Sequence, residues 1–175
     1  VNTLSPGDKV LMYETGQFSN LWIELASRLG LEPEICEGDW RGGAIAEVIE
    51  ERLLADKTKH IKAVCIVHNE TSTGSLSNVK AVRGAIDNAK HPALFLVDTI
   101  SGLGSADYKH DEWGVDVTIT GSQKGLMLPP GLGFNAVSEK AIAASKSAKL
   151  SRSYWDWTSQ LANNPTGNFP YTPAT

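Results

Sequence analysis

The sequence lacks several features that mark particular classes of protein. No apolar run is long enough to cross a bilayer, and no basic segment followed by an apolar one opens the chain. Its 16 lysines and arginines stand against 20 aspartates and glutamates, a net charge of −4, so the basic excess typical of nucleic-acid-binding proteins is absent. We therefore expect neither a membrane nor a nucleic acid among its partners.

Cysteine is scarce as well. The chain has two, Cys36 and Cys65, and Cys65 lies inside the apolar run AVCIV. That position predicts a buried free thiol rather than a disulfide. The scarcity favours a reducing compartment, and we expect the protein to be cytoplasmic.

What remains is the composition of a globular domain. The 175 residues are 41% apolar and 21% charged, enough for one domain with a sizeable core. The chain starts at Val1 rather than at methionine and ends on YTPAT. We expect it to be a segment of a longer protein, opening on the tail of a helix that leads into a turn at residues 6–8.

Hydrophobic periodicity predicts alternating strands and helices. We expect strands at 9–14, 32–38, 61–70, 92–98, 114–122 and 133–138, and helices at 18–30, 42–57, 76–91 and 139–149. This order indicates βαβ units and an α/β fold with a mainly parallel sheet. Residues 150–175 are rich in aromatic, Asn, Pro and Thr residues without a clear period, so we expect a loop-rich excursion there.

Polar groups follow three successive predicted strands. The segment HNETSTG comes after AVCIV, Asp98 comes after ALFLV, and Lys124 follows VDVTIT within GSQK. Because ligands of open α/β sheets bind outside the carboxyl ends of the strands, we expect a polar loop, a carboxylate and a lysine to meet at one edge.

A lysine and a carboxylate at such an edge suit pyridoxal phosphate chemistry. The lysine amine would form a Schiff base with the aldehyde of the cofactor, and the carboxylate would pair with its pyridine nitrogen. With that nitrogen protonated, the ring can accept the electrons left when the Cα–H bond of the substrate breaks. Lys124 and Asp98 are the candidates for these two catalytic roles.

Three stretches resemble one enzyme family: HNETSTG, the run from LVDTISGLG to GSQKGLMLPPGLGF, and FPYTPAT. They are similar to serine–glyoxylate aminotransferases, class V pyridoxal phosphate enzymes of fold type I, grouped with alanine–glyoxylate aminotransferases. The resemblance implies that residues 1–175 belong to a three-layer αβα large domain truncated at both ends, with 150–175 prone to form an interface. It also implies a homodimer that moves the amino group of serine, or alanine, to glyoxylate, giving glycine and hydroxypyruvate, or pyruvate.

The same resemblance assigns roles at matching positions. Lys124 matches the Schiff-base lysine and Asp98 the partner of the pyridinium. The other matches are to cofactor-binding residues: Thr71 near the phenolic oxygen, Gln123 at the phosphate, Phe18 stacked on the ring, and Thr172 reaching the phosphate of the neighbouring subunit. At residue 169 a phenylalanine stands where some relatives have a tyrosine, so that hydroxyl contact is missing.

Simpler interpretations of single residues stay open at this point. Lys124 could be a solvated surface lysine, Thr71 a turn former, and Phe18 a core residue at the start of a helix. His68 is expected to pack or to form a hydrogen bond rather than to bind a metal.

Two alternative functions also stay open. A cysteine desulfurase would share the lysine and the aspartate, but that group usually has a histidine before the lysine and a glutamine three residues after the aspartate. Gln123 and Ser101 occupy those positions here. The other alternative is a truncated, non-catalytic cofactor domain, because the glycine-containing phosphate loop and the substrate-binding arginine are expected before Val1 and beyond Thr175. The segment alone is accordingly expected to be inactive.

Overall fold

A computed structural model describes residues 1–172. Within them lie eight strands, β1 to β8, at Lys9–Tyr13, Glu32–Cys36, Ile61–Val67, Asn69–Glu70, Ser75–Leu76, Leu94–Asp98, Val117–Gly121 and Gly133–Val137. Five α-helices, α1 to α5, span Gln17–Arg28, Ala46–Ala55, Val79–Asn88, Glu139–Ser145 and Trp157–Asn163, and a 3₁₀ turn spans Asn164–Thr166. No helix of this part of the chain is long and apolar enough to cross a membrane.

Six strands form one sheet in the order β2-β1-β3-β6-β7-β8. All neighbouring pairs are parallel except β7 and β8, which are antiparallel. The predicted α/β class with a mainly parallel sheet is therefore confirmed. The order reverses direction between β1 and β3, and such a switch point leaves a crevice at the carboxyl ends of the two strands.

Helices cover both faces of the sheet and give three layers. On one face α2 and α3 pack through Ile49, Leu53, Val82 and Ile86 onto a cluster that includes Phe95. The other face carries α1 and α4, whose buried residues join a second cluster. Strands β3 and β6 are almost wholly buried, which explains their nearly continuous apolar sequences.

Both cysteines lie in these cores as free thiols, as predicted for Cys65. Cys36 belongs to the first cluster and Cys65 to the second. Burial raises the pKa of Cys36 to about 11 and that of Cys65 to about 12. Both thiols are thus protonated and unreactive near neutral pH.

The predicted strand at 61–70 is broken in the structure. Strand β3 ends at Val67, and after His68 the chain turns into a short hairpin in which β4 pairs antiparallel with β5. The amide of His68 still donates to the carbonyl of Asp98 at 2.8 Å, so the hairpin stays attached to the end of β6. This break aims the HNETSTG segment across the edge of the sheet.

The predicted helix tail at the start of the chain is wrong, whereas the turn after it is present. Residues 1–8 contain no helix, and the amide of Asp8 donates to the carbonyl of Ser5 at 3.0 Å across the turn. Leu4 is buried in the second core cluster instead, and its carbonyl accepts from the amide of Leu150 at 3.2 Å. Burial in the core, rather than helical hydrogen bonding, stabilises this stretch.

The region after residue 149 is less irregular than expected. It holds α5, which begins where the Asp156 carboxylate accepts from the amide of Thr158 at 2.9 Å, and then the 3₁₀ turn. None of the residues of α5 is buried, and its seven residues are too few to show a helical period from which it could have been predicted. The side chain of Asn2 ties the region down by bonding the backbone of Trp155 and Trp157.

Candidate active site

The candidate site lies at the carboxyl ends of β3, β6 and β7. Asp98, the last residue of β6, is in register with Val67 of β3 on one side and with Ile119 of β7 on the other. The polar loops that leave the three strands therefore start side by side. Of the six residues predicted for the site, five lie on elements that meet at this carboxyl edge: Phe18, Thr71, Asp98, Gln123 and Lys124.

Asp98 is a half-buried carboxylate in an environment that opposes its charge. Burial is the main cause of its raised pKa, and the negative charge of Glu70 adds to the effect. A hydrogen bond of 2.8 Å from the amide of Ile100 to Oδ1 and the positive charge of Lys124 act in the opposite direction without outweighing burial. A cation placed against Asp98 would therefore stabilise its ionised form.

Ser101 links the loop after β6 to the hairpin that carries Thr71. The Thr71 hydroxyl donates to the Ser101 hydroxyl at 2.8 Å, and the side-chain amide of Asn69 donates to the same oxygen at 2.9 Å. Ser101 in turn donates to the carbonyl of Asn69 at 2.9 Å. These bonds hold Thr71 beside the loop that follows Asp98, and Thr71 itself stays exposed to solvent.

Gln123 and Lys124 lie in the loop after β7, and both are exposed. Buried Ser122 anchors this loop, because its hydroxyl donates to the carbonyl of Pro129 at 2.6 Å and its amide to the carbonyl of Leu132 at 3.0 Å. Among the ion pairs of residues 1–172, none involves Lys124. The amine thus stays open to a ligand.

The loop of Lys124 presses against the loop that follows Asp98. A Cβ atom at Gly125 would lie 2.1 Å from the carbonyl oxygen of Leu103, so only glycine permits this approach. Gly104, at φ +78°, makes the reciprocal contact, since a Cβ there would lie 2.7 Å from the carbonyl oxygen of Gly125. The glycines of GSQKG and SGLG therefore bring Lys124 and Asp98 to one place.

Phe18 is the second residue of α1, at the end of β1. Its side chain is 43% exposed, which is high for a large aromatic ring and contradicts the interpretation of a core residue. Its backbone amide is bonded to the carboxylate of Glu70, at 3.1 Å to Oε2. The ring is presented at the same edge as the hairpin that carries Thr71.

Thr172 is the sixth predicted residue and the last that the structure describes. It is exposed, in the chain that follows the 3₁₀ turn. No hydrogen bond within residues 1–172 joins it to the other five candidates, and its role at a cofactor stays a prediction.

Two residues with clear structural roles at this edge were not predicted as part of the site. They are Ser101, which the sequence distinguishes only as a departure from the desulfurase pattern, and Glu70, which lies within HNETSTG. A charged residue at the end of the predicted strand 61–70 is the available signal for Glu70, which is fully buried. His68, beside it, packs with its ring centroid 5.1 Å from that of Tyr108, as expected for a packing role.

Comparison with known proteins places this geometry in a family. The model of the family "Aminotransferase class-V" matches residues 1–162. The chain belongs to the class V aminotransferases. Its resemblance to this family, stated above from three motifs, is thus confirmed over most of its length.

Within this family, the chain is similar to aminotransferases that use glyoxylate. The chain is 56% identical to a serine–glyoxylate aminotransferase of Methylorubrum extorquens, over 98% of the chain and 44% of that protein. It is 49% identical to an L-aspartate–glyoxylate aminotransferase of Paracoccus denitrificans, over 98% of the chain and 43% of that protein. The chain therefore spans less than half the length of these curated relatives.

A solved structure of similar fold is that of an aspartate aminotransferase of subgroup IV from Thermus thermophilus. It superposes with a TM-score of 0.85 at 31% identity, over 99% of this chain and 47% of that one. The class V, fold-type-I architecture predicted from the motifs is that of this chain.

Proposed function

We propose that the chain is part of a longer pyridoxal phosphate-dependent aminotransferase that transfers the amino group of serine to glyoxylate, forming hydroxypyruvate and glycine. The proposal rests on one observation: a carboxylate that forms no ion pair among the described residues and an exposed lysine lie at the ends of neighbouring strands. Serine is the proposed donor because of the similarity to the Methylorubrum extorquens enzyme. Alanine stays an alternative donor.

The side chains at the candidate site suit the binding of pyridoxal phosphate. Burial raises the pKa of Asp98, so this carboxylate would gain from a cationic partner such as a protonated pyridine nitrogen. Lys124 offers an exposed amine with no ion pair among the described residues. Thr71 and Gln123 add exposed polar side chains, and Phe18 adds an exposed aromatic ring.

When bound, pyridoxal phosphate supplies an aldehyde that takes up the amino group and a ring that accepts the electrons of the broken Cα–H bond. Lys124 would hold the cofactor through Nζ and then, as a free amine, would move the proton from Cα. Asp98 would hold a proton on the ring nitrogen through its negative charge. The Thr71 hydroxyl and the Gln123 amide would orient the phenolic oxygen and the phosphate, and Phe18 would stack on the ring.

Borohydride reduction followed by peptide mapping tests the proposal. If Lys124 carries the cofactor, reduction of the yellow full-length protein fixes a pyridoxyl group on Lys124. Lys140 and Lys146 are the nearest downstream lysines and serve as internal controls. Lys140 is already occupied, since its amine donates to the carbonyl of Ala93 at 2.7 Å. Label on either of these, or no label at all, contradicts the proposal.

The alternative functions are less well supported. A desulfurase would have a histidine before Lys124 and a glutamine in place of Ser101, whose hydroxyl here bonds Thr71 and Asn69. A non-catalytic truncated domain stays the expectation for the 175 residues alone. Assays of transfer from serine to glyoxylate, with cysteine as a competing substrate, separate these functions in the full-length protein.

A homodimer completes the proposal. Thr172 would reach the cofactor phosphate of the neighbouring subunit, and the region 150–172 would form the interface. The support is an exposed aromatic set in this region: Tyr154, Trp155, Phe169 and Tyr171. Such residues are favoured anchors of interfaces.

A further inference from the structure

Glu70 is a fully buried carboxylate in the crevice between the ends of β1 and β3. It accepts hydrogen bonds from the amides of Phe18 and Ser19, at 3.1 and 3.0 Å to Oε2. Its Oε1 accepts from the Ser72 hydroxyl at 2.7 Å and from the Ser72 amide at 3.2 Å. One carboxylate thus joins the first turn of α1 to the hairpin that follows β3.

The helix has no comparable cap of its own. Its N-cap is Gly16, which has no side chain to accept from the first amides. A Cβ atom at Gly16 would lie 2.6 Å from Cγ of Glu70 and 2.5 Å from the Ser72 hydroxyl. Glycine at 16 therefore leaves the space that Glu70 fills from more than fifty residues away in the sequence.

The carboxylate is held in its charged form. Burial opposes ionisation, but the hydrogen bonds from the Ser72 hydroxyl and from the amides of Ser19, Ser72 and Phe18 outweigh it and lower the pKa of Glu70. A negative charge at the start of α1 also suits the positive end of the helix dipole. Near neutral pH Glu70 is thus an ionised, fully hydrogen-bonded link.

The two segments that Glu70 joins are those that present Phe18 and Thr71. The amide of Phe18 donates a hydrogen bond to the carboxylate of Glu70, and Thr71 directly follows Glu70 in the sequence. We propose that Glu70 is a positioning residue that sets the ring of Phe18 against the hydroxyl of Thr71, and so determines how tightly pyridoxal phosphate is held. The inference rests on the proposed function, because it needs the cofactor to lie between these two side chains.

Glu70→Gln in the full-length protein is the test. Glutamine keeps the shape but places an NH₂ group where one oxygen accepted, so at least one amide loses its acceptor. We expect the dissociation constant of pyridoxal phosphate, measured by equilibrium dialysis well below the melting temperature, to rise at least about tenfold. In combination with Phe18→Ala, which removes the positioned ring, we expect the two effects to be less than additive.

Asp56→Asn is the matched control. Asp56 also caps backbone through a carboxylate, accepting from the amide of Ile61 at 2.7 Å, but it lies before β3, at the opposite end of the sheet. We expect it to lower the melting temperature without changing the affinity for the cofactor. Should Glu70→Gln not fold, Ser72→Ala removes one donor to Glu70 together with the acceptor of the Gln17 amide, and is measured in the same way, with a smaller rise expected.

The outcomes separate the inference from the function on which it rests. A wild-type protein that does not retain pyridoxal phosphate overturns both. Tight binding by the wild type together with an unchanged affinity in the Glu70 variant overturns the inference alone. So does strict additivity with Phe18→Ala, or an equal loss of affinity in Asp56→Asn, since either would mean that Glu70 acts through general stability.

Discussion

Charged side chains at the two ends of the parallel sheet differ in their partners. At the amino end, Asp56 accepts from His91 and from the amide of Ile61, and buried Asp116 lies 3.5 Å from the amine of Lys140. At the carboxyl end, Asp98 and Lys124 are in no ion pair of the described residues. Asp56 and Asp116 are thus bonded within the chain, whereas Asp98 and Lys124 of the candidate site are left to act on a ligand.

The same contrast appears in the pKa values. Asp56 has its pKa lowered from 3.8 to about 2, because hydrogen bonds from the amides of Ile61 and His60 and from His91 exceed the opposing effect of burial. Asp98 has its pKa raised, because burial is not offset. The carboxyl end thus holds an unfavourable charge in the chain as it stands, as is common at functional sites. Of our four predictions, three test whether the two ends differ in this way, and one concerns Thr172.

The largest effect is expected for Lys124→Ala. Removing the amine removes both the attachment of the cofactor and the base for the Cα proton, so we expect transamination to fall by at least about 10⁴-fold. Lys140→Ala is the control at the amino end, where the amine contacts Ala93 and Asp116. It should reduce stability and leave the rate per folded enzyme unchanged. Comparable losses of rate in both variants would erase the distinction between the ends.

Asp98→Asn should have the next largest effect. The amide keeps the shape of the side chain and removes the charge that would hold a proton on the ring nitrogen. We expect the cofactor to remain bound, if more weakly, and the rate of amino transfer to fall by about 10²–10³-fold. Stopped-flow measurement of the half-reaction with serine checks this. Near-normal turnover would make Asp98 a structural residue like Asp116.

Much of this arrangement follows from the sequence because it depends on local patterns. The apolar runs of β3 and β6 and the helical periods between them give the order of elements, and parallel strands bring Thr71, Asp98 and Lys124 to one edge. The roles of these residues at a cofactor stay predictions.

What could not be predicted depends on distant partners. Glu70 bonds an amide more than fifty residues earlier, and no local pattern encodes that contact. The prediction of a helix tail for the first residues is wrong because Leu4 is buried in the core and bonded to Leu150, a partner even more remote in sequence. Helix α5 could not be predicted because its seven residues are too few to show a helical period.

A third prediction concerns Thr172, which belongs to no strand of the sheet. If it serves the site of the neighbouring subunit, mixing Lys124→Ala subunits with Thr172→Ala subunits gives hybrid dimers with both lesions in one site and none in the other. We expect a hybrid to recover up to half the activity of a wild-type dimer. Absence of recovery would place Thr172 at the site of its own subunit, and Thr172→Ala homodimers with full activity would mean that it serves no site.

The smallest effect, on stability alone, is expected for Asp56→Asn. Nε2 of His91 lies 3.2 Å from Oδ2 of Asp56, but the two groups do not form an ion pair. Burial lowers the pKa of His91 even though the nearby carboxylate acts to raise it. We therefore treat the contact near neutral pH as a hydrogen bond from a neutral imidazole. The backbone amides remain the main cause of the low pKa of Asp56.

A carboxylate whose pKa falls on folding stabilises the folded state above its unfolded pKa and ceases to do so as the pH falls through the folded value. For Asp56 this window runs from 3.8 down to about 2, and after screening by solvent the shift corresponds to at most about 2 kcal/mol. Urea unfolding should show wild type and Asp56→Asn differing by this amount at pH 7, with a difference that shrinks below pH 4.

Asp87→Asn, at an exposed ion pair with Arg83, is the control and should change stability by less than about 1 kcal/mol. A difference for Asp56→Asn that is absent at pH 7, or accompanied by a lower rate of amino transfer per folded enzyme, would mean that charge at the amino end is not purely structural.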